Sequence, residues 1–222
     1  MIKFKNVNKT FKSGRSHTVD ALKDIDLSIK EGSVVVLKGA SGSGKSSILS
    51  LISAISKPTS GEVIVDDKQI SKLSDKFSSE YRLNNIGIVF QKYNLVEDIT
   101  VEQNVILPLI PKNLDSHVVE EKVESVLDMF GIKEYKNSPV KNLSGGEQQR
   151  VAIARAYINT PKIIIADEPT ANLDEKLSLD FIKIIKDLKG ENKTIIIATH
   201  DPLFFDLDFV DEYIELKDGC VV

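Results

Sequence analysis

The run Gly39-Ala40-Ser41-Gly42-Ser43-Gly44-Lys45-Ser46 has the residue types needed to cradle a polyphosphate. It fits the pattern G-x-x-x-x-G-K-[ST], follows an apolar run at 34–37 and opens a helical pattern, which is the context the pattern requires. Glycines let the backbone bend until successive N–H groups point inward at phosphate oxygens. The helix start adds unpaired donors and a favourable dipole. Lys45 brings a point charge to the β- and γ-phosphates, and Ser46 offers a hydroxyl to Mg²⁺. The bland alternative is a Gly-rich strand-to-helix turn, which gives no reason for the Lys-Ser pair.

A second constellation is Ile163-Ile164-Ile165-Ala166-Asp167-Glu168, an apolar strand ending in two acids. Ligands of parallel sheets sit at the C-terminal strand edge. Asp167 suits Mg²⁺ through water, and Glu168 suits a general base that orients the attacking water. Taken alone, two acids at a strand end are as readily a solvated pair; the phosphate loop favours the chemical reading. His200 follows the run 195–198 and Thr199 at the same expected edge, where it could reach the γ-phosphate and the attacking water. His17 and His117 have no such setting, and no zinc-like cluster is present. Further on, Leu143-Ser144-Gly145-Gly146-Glu147-Gln148-Gln149-Arg150 precedes a helical pattern at 151–158. Ser144 and Glu147 have capping-box spacing. Two glycines in the first turn leave the N–H groups bare, giving a second anion-receptive helix start or simply a capped helix.

The elements that must position these residues are legible as patterns. Ile2 and Phe4 alternate with lysines, and Ile25, Leu27 and Ile29 alternate with polar residues, which predicts antiparallel strands in the first thirty residues. Glu62-Val63-Ile64-Val65 followed by Asp66-Asp67 predicts another hairpin. The wholly apolar runs 34–37, 86–90, 163–166 and 195–198 predict strands of a sheet covered on both faces. Helical spacing occurs at Ile48, Leu49, Leu51, Ile52 and Ile55, and at Val119, Val123, Val126, Leu127 and Phe130. The segment from 92 to 160 lacks a clear core strand and reads as a helical insertion. The fold class is therefore α/β: a P-loop core with a mostly parallel sheet, an antiparallel N-terminal β part and an inserted α-helical subdomain. One domain spans 1–222, with 1–91 and 161–222 as the nucleotide-binding core and 92–160 as the helical part.

Composition bounds the rest. The chain has 222 residues, 41% hydrophobic and 28% charged, as in an ordinary globular protein. A net charge of −4 argues against a nucleic-acid partner, which would call for a basic excess. No apolar run approaches the roughly 18 residues of a membrane span, and the N-terminus shows no signal peptide. A cytoplasmic location follows, unless a partner holds the chain at a membrane. The single cysteine, Cys220, forbids an internal disulfide and reads as a small apolar residue.

The string LSGGEQQR at 143–150 resembles the signature motif of ABC ATPases, and the other elements follow in that family's order over essentially the whole chain. Gly39 to Ser46 is similar to the Walker A loop, Gln91 to the Q-loop glutamine, and 163–167 to the Walker B strand. Glu168 is similar to the catalytic carboxylate, Ala171-Asn172-Leu173-Asp174 to the D-loop and His200 to the switch histidine. Phe11 stands where the family places an aromatic that stacks on adenine, often Tyr; Phe keeps the π face and loses the hydroxyl. A core aromatic remains the alternative for Phe11. Within the family, Ala40–Ser43, Phe90-Gln91 with Leu95, Asn104-Val105 with Pro108-Leu109, and 167–174 resemble lipoprotein-releasing, macrolide-exporting and division-associated subunits.

The resemblance implies ATP and Mg²⁺ as cofactors. It assigns nucleotide contacts to Phe11, Gly39, Ala40, Ser41, Gly42, Ser43, Gly44, Lys45, Ser46, Ser47 and Gln91. Ser144, Gly145, Gly146, Glu147 and Asp174 would serve the opposite subunit's nucleotide. Metal contacts fall to Ser46, Gln91 and Asp167, and catalysis to Glu168, His200, Gln91 and Lys45. The implied assembly is a head-to-tail dimer with ATP at the interface, driving an integral membrane permease on the cytoplasmic face of the inner membrane. The stretch Lys92-Tyr93-Asn94-Leu95-Val96 is expected in a surface loop that either helps form the permease groove or packs locally. Three alternatives remain at this stage. A kinase or GTPase is disfavoured because Asn192-Lys193-Thr194-Ile195 lacks the Asp of a guanine reader. A non-transport ABC ATPase would serve a division complex or soluble assembly. An ATP sensor without hydrolysis is opposed by Glu168, His200 and the intact signature.

Overall fold

A computed structural model describes residues 1–13, 17–171 and 173–222; Asn172 and the side chains of Ser13 and His17 lie outside the described residues. In chain order the strands are β1 (Ile2–Ser13), β2 (His17–Ile29), β3 (Val34–Lys38), β4 (Ser60–Val65), β5 (Lys68–Gln69), β6 (Ile86–Val89), β7 (Ile163–Asp167), β8 (Thr194–Thr199), β9 (Glu212–Lys217) and β10 (Cys220–Val221). The helices are α1 (Lys45–Ile52), α2 (Asp75–Asn85), α3 (Val101–Ile106), α4 (Ser116–Met129), α5 (Gly145–Tyr157) and α6 (Glu175–Lys189).

The strands form two sheets. One is antiparallel, in the order β2-β1-β4-β5, and its expected hairpin turns through Asp66 and Asp67 at φ 48 and 60, the left-handed pair that a tight hairpin needs. The other has the order β10-β9-β3-β8-β7-β6, parallel from β9 to β6, with β10 antiparallel on its edge. Strand period two divides its apolar residues. Val36, Ile164, Ala166 and Ile197 face one core shared with α3, α4, α5 and α6. Val35, Ile165, Ile196 and Ala198 face the other, shared with α1 and the antiparallel sheet. Both faces are therefore dry, as the runs of apolar residues predicted.

Three details depart from the sequence reading. Strand β6 stops at Val89, and Ile86 and Ile88 are half-buried because β6 is the sheet's edge. Helix α1 ends at Ile52: Ala54 turns left-handed at φ 49, Ile55 N–H returns to the Ser50 carbonyl at 3.0 Å, and the Ile55 side chain is exposed. Strand β9 was not singled out; its alternating Ile214 and Leu216 pack beside β3. Between residues 92 and 160, α3, α4, α5 and short 3₁₀ turns occur, with no strand among the described residues. No helix among the described residues is long and apolar enough to cross a membrane.

Candidate functional site

Register brings the chemistry to one edge. Lys38 pairs with Thr199, and Asp167 with Ala198, so β3, β7 and β8 end side by side. The phosphate loop leaves β3, Glu168 follows β7 and His200 follows β8. Gly44, at φ 109, precedes α1, and a Cβ there would meet the Ala21 carbonyl at 2.7 Å. Gly39 is tighter still: its Cβ would stand 2.3 Å from the Leu216 carbonyl. Both positions thus require glycine for close approach of backbone.

The loop, Gln91, Asp167, Glu168 and His200 line one cleft of about 420 Å³ with Phe11 at its rim. Lys45 is 5% exposed; its Nζ donates to the Gly39 carbonyl at 2.7 Å and the Ala40 carbonyl at 3.1 Å, and stands 3.4 Å from Glu168 Oε1. Gly39 and Ala40 thus serve as carbonyl partners of Lys45, while the loop from Ser41 to Ser47 faces the cleft. Ser43 Oγ is buried with no hydrogen-bond partner, a donor consistent with an anion in the loop. Ser46 Oγ donates to Asp167 Oδ1 at 3.0 Å. Burial pushes the Asp167 carboxyl above its ordinary pKa; the Ser46 hydroxyl opposes this, and the Glu168 charge adds to it. Hydroxyl and carboxylate together make a hard oxygen pair suited to Mg²⁺, which takes few protein ligands beside phosphates and water. The donor set therefore fits the metal.

Glu168 has a left-handed backbone, φ 44, held by its N–H to the Ala198 carbonyl at 2.8 Å. Such a conformation costs of order 1–3 kcal/mol in a non-glycine residue. It turns the carboxylate off the strand, where Oε2 meets His200 Nδ1 at 2.9 Å. Phe11 is exposed, with the Lys9 ammonium 4.7 Å from its ring centroid, so it is not a core aromatic. Its cross-strand partner Val19, with Asp20 and Ala21, also lines the cleft. Sequence reasoning missed these β2 residues; the alternation opposite Phe11 was the available signal.

The second helix start lies outside this cleft. Ser144 caps α5 in a capping box: Glu147 Oε2 accepts from Ser144 N–H at 2.7 Å, and the Ser144 hydroxyl accepts from Glu147 N–H. The Tyr135 hydroxyl and the Ser144 groups hold the Glu147 carboxyl below its usual range. Ser144 and Gly145 are exposed, and Gly146 lies against Leu177 of α6. Asp174 caps α6, its Oδ1 accepting from Leu177 N–H at 2.9 Å. None of these residues reaches Lys45's cleft.

The segment after Gln91 is ordered locally. Tyr93 is buried, which favours local packing over an open groove at that residue; Val96 is the exposed apolar residue there. Tyr93 and Asn94 are left-handed, φ 57 and 49, and the Arg155 guanidinium of α5 donates to both their carbonyls. Buried Asn104 holds Val96 through its amide in both directions, at 2.8 and 3.0 Å.

Comparison with known proteins shows the family and the fold. Residues 22–171 match the family model described as ABC transporter. An uncharacterized ABC transporter ATP-binding protein of Methanocaldococcus jannaschii, MJ0796, is 43% identical over all of this chain and 95% of its own. A structure of that cassette, dimeric in a post-hydrolysis state with ADP and Pi, matches with TM-score 0.90 and 41% identity, covering 100% of this chain and 96% of that one. The macrolide export ATP-binding/permease protein MacB of Psychrobacter cryohalolentis is 36% identical over all of this chain, which spans 33% of its length. With the phosphate loop, the paired acids, the histidine and the signature helix all in place, the chain belongs to the ABC transporter family as an ATP-binding subunit.

Proposed function

We propose that this chain is the ATP-hydrolysing subunit of an ABC transporter, closing as a head-to-tail dimer on two ATP molecules and driving a membrane permease. The observation that carries this is the separation of two anion-receptive helix starts. Lys45 and Ser46 lie in the cleft, whereas Ser144, Gly145 and Gly146 lie outside it. A second subunit supplies what each cleft lacks.

In this reading the adenine stacks on Phe11, and the loop from Gly39 to Ser47 wraps the phosphates. Lys45 exchanges its bonds to Gly39 and Ala40 carbonyls for phosphate oxygens. Ser46, Asp167 and Gln91 would hold Mg²⁺, which would supply neutralisation of the phosphate charge. Glu168 takes the proton of the attacking water, and His200 orients the Glu168 carboxylate. Across the interface, Ser144, Gly145, Gly146 and Glu147 close on the γ-phosphate, and Asp174 links the two sites. ATP favours the closed dimer because it is bound by both halves, and hydrolysis removes that bridge.

Residues 1–91 and 161–222 act as the catalytic core in this scheme, and 92–160 as a helical subdomain that follows Gln91. MacB combines ATPase and permease by name. The cassette CbiO1 of Clostridium perfringens, 34% identical with TM-score 0.85, is described as part of the transporter complex CbiONQ. Those associations favour a permease that holds this chain at the cytoplasmic face of the inner membrane. The test is light scattering of Glu168→Gln with and without Mg-ATP, followed by recovery of the wild-type complex from solubilised membranes. ATP-dependent dimers and a co-purifying integral membrane protein support the proposal. A strict monomer at saturating Mg-ATP refutes the dimer, and recovery without membranes refutes the permease.

A further inference from the structure

Gln149 lies on α5 one turn beyond Gly146 and is 3% exposed. Its Nε2 donates to the Pro169 carbonyl at 2.9 Å in a fully buried contact. Pro169 directly follows Glu168. That loop has other fastenings, at the strand edge and from the start of α1: Glu168 N–H to the Ala198 carbonyl at 2.8 Å, Thr170 Oγ1 to Asp201 Oδ2 at 2.8 Å, and Lys45 Nζ at 3.4 Å from Glu168 Oε1. Among the described residues, Gln149 is the hydrogen-bonded link from α5. A buried amide is costly unless its polar atoms are engaged, so its placement calls for a role. The first turn of α5 also sits hard on α6: a Cβ on Gly146 would meet Leu177 Cδ2 at 2.5 Å. Gly146 and Gln149 belong to one continuous helix, so displacement of that turn along with the helix carries Gln149 with it.

Resting on the proposed function, in which the start of α5 meets the opposite subunit's γ-phosphate, we infer that Gln149 is a positioning residue coupling the two ATP sites. Arrival of nucleotide at Ser144–Gly146 is transmitted through Gln149 to the backbone behind this subunit's own Glu168. Such a link is a coupling free energy between sites, read as cooperativity in turnover. Gln149 touches neither nucleotide.

The test compares Gln149→Met, which keeps length but donates nothing, with Gln149→Glu, in the full chain with Glu168 intact. Gln149→Met is expected to lose about tenfold in kcat, the equivalent of one hydrogen bond. Its Hill coefficient for ATP should drop below the wild-type value while monomer ATP affinity and folding hold. In Gln149→Glu burial raises the new carboxyl's pKa, and its protonated form donates again. Its kcat relative to wild type should therefore recover as pH falls, whereas that of Gln149→Met should not. Unchanged kcat and Hill coefficient overturn the inference, as does a kcat loss that only tracks lost folding or ATP binding. ATP-driven dimerisation of Glu168→Gln is run beside these variants. If it fails, the underlying function fails; if it succeeds while Gln149→Met turns over normally, only the coupling fails.

Discussion

Replacing Glu168 by Gln removes one charge without changing shape, and the site predicts two opposite effects. Glu168 is 14% exposed, with Lys45 at 3.4 Å and His200 at 2.9 Å. The first effect is on chemistry. A positioned general base contributes typically about 10²–10⁴-fold, so turnover should fall by that factor. The second effect is on binding. At an effective dielectric constant of about 20, unit charges at the Lys45–Glu168 separation attract by about 5 kcal/mol. Desolvation and the retained amide dipole offset most of this, leaving about 1–2 kcal/mol. That attraction competes with phosphate for Lys45, and the carboxylate also repels the triphosphate. The variant should therefore bind ATP about 5–30-fold tighter. Isothermal titration with Mg-ATP and single-turnover hydrolysis measure the two quantities on one sample. Turnover within tenfold of wild type would remove Glu168 from the chemistry. Weaker ATP binding would show that Glu168 organises the phosphate site rather than competing for Lys45.

Other outcomes follow from particular contacts. Lys45→Ala should raise the ATP Kd by at least about tenfold, since it deletes the buried cation of the cradle, and titration calorimetry reads it. Phe11→Ala should weaken ATP by about 1–3 kcal/mol while Phe11→Tyr stays near wild type, as expected of a stacking face and measured with a fluorescent nucleotide. Arg155→Ala should destabilise by about 2–4 kcal/mol in urea, because it leaves the carbonyls of left-handed Tyr93 and Asn94 without their charged donor. Asp167 has a folded pKa raised by burial, so it binds protons that the unfolded chain has released. Its ionisation therefore opposes folding as pH rises through the interval between the unfolded and folded pKa values. Mg²⁺ requires the ionised form, so Mg-dependent ATP affinity should weaken on acidification at a higher pH than an ordinary carboxylate would cause; titration across that range checks the sign.

The local chemistry was legible in the residues themselves. A phosphate loop must be contiguous because successive N–H groups of one bend bind one anion, so Gly39 to Ser46 could be read without coordinates. Strands 34–37, 163–166 and 195–198 were legible because burial on both faces leaves an uninterrupted apolar run. The capping box at Ser144 was legible because its two partners are three residues apart. Convergence was another matter. Asp167 lies 121 residues from Ser46, and only the parallel register of β3, β8 and β7 puts their side chains 3.0 Å apart. Edge position was equally invisible: β6 is as apolar as β7 but half-buried, since a run of Ile and Val cannot state which strand comes last. The sequence also did not tell whether Tyr93 faces out. Its backbone is held by Arg155 reaching across from α5, a contact between segments 62 residues apart. The sequence by itself determined the anion cradle, the acids and the layered α/β class, because each is written in neighbouring residues. The tertiary structure decided which groups meet, that Gln149 stands behind the Glu168 loop, and that the second helix start lies outside the first cleft, because those depend on strand order and helix packing.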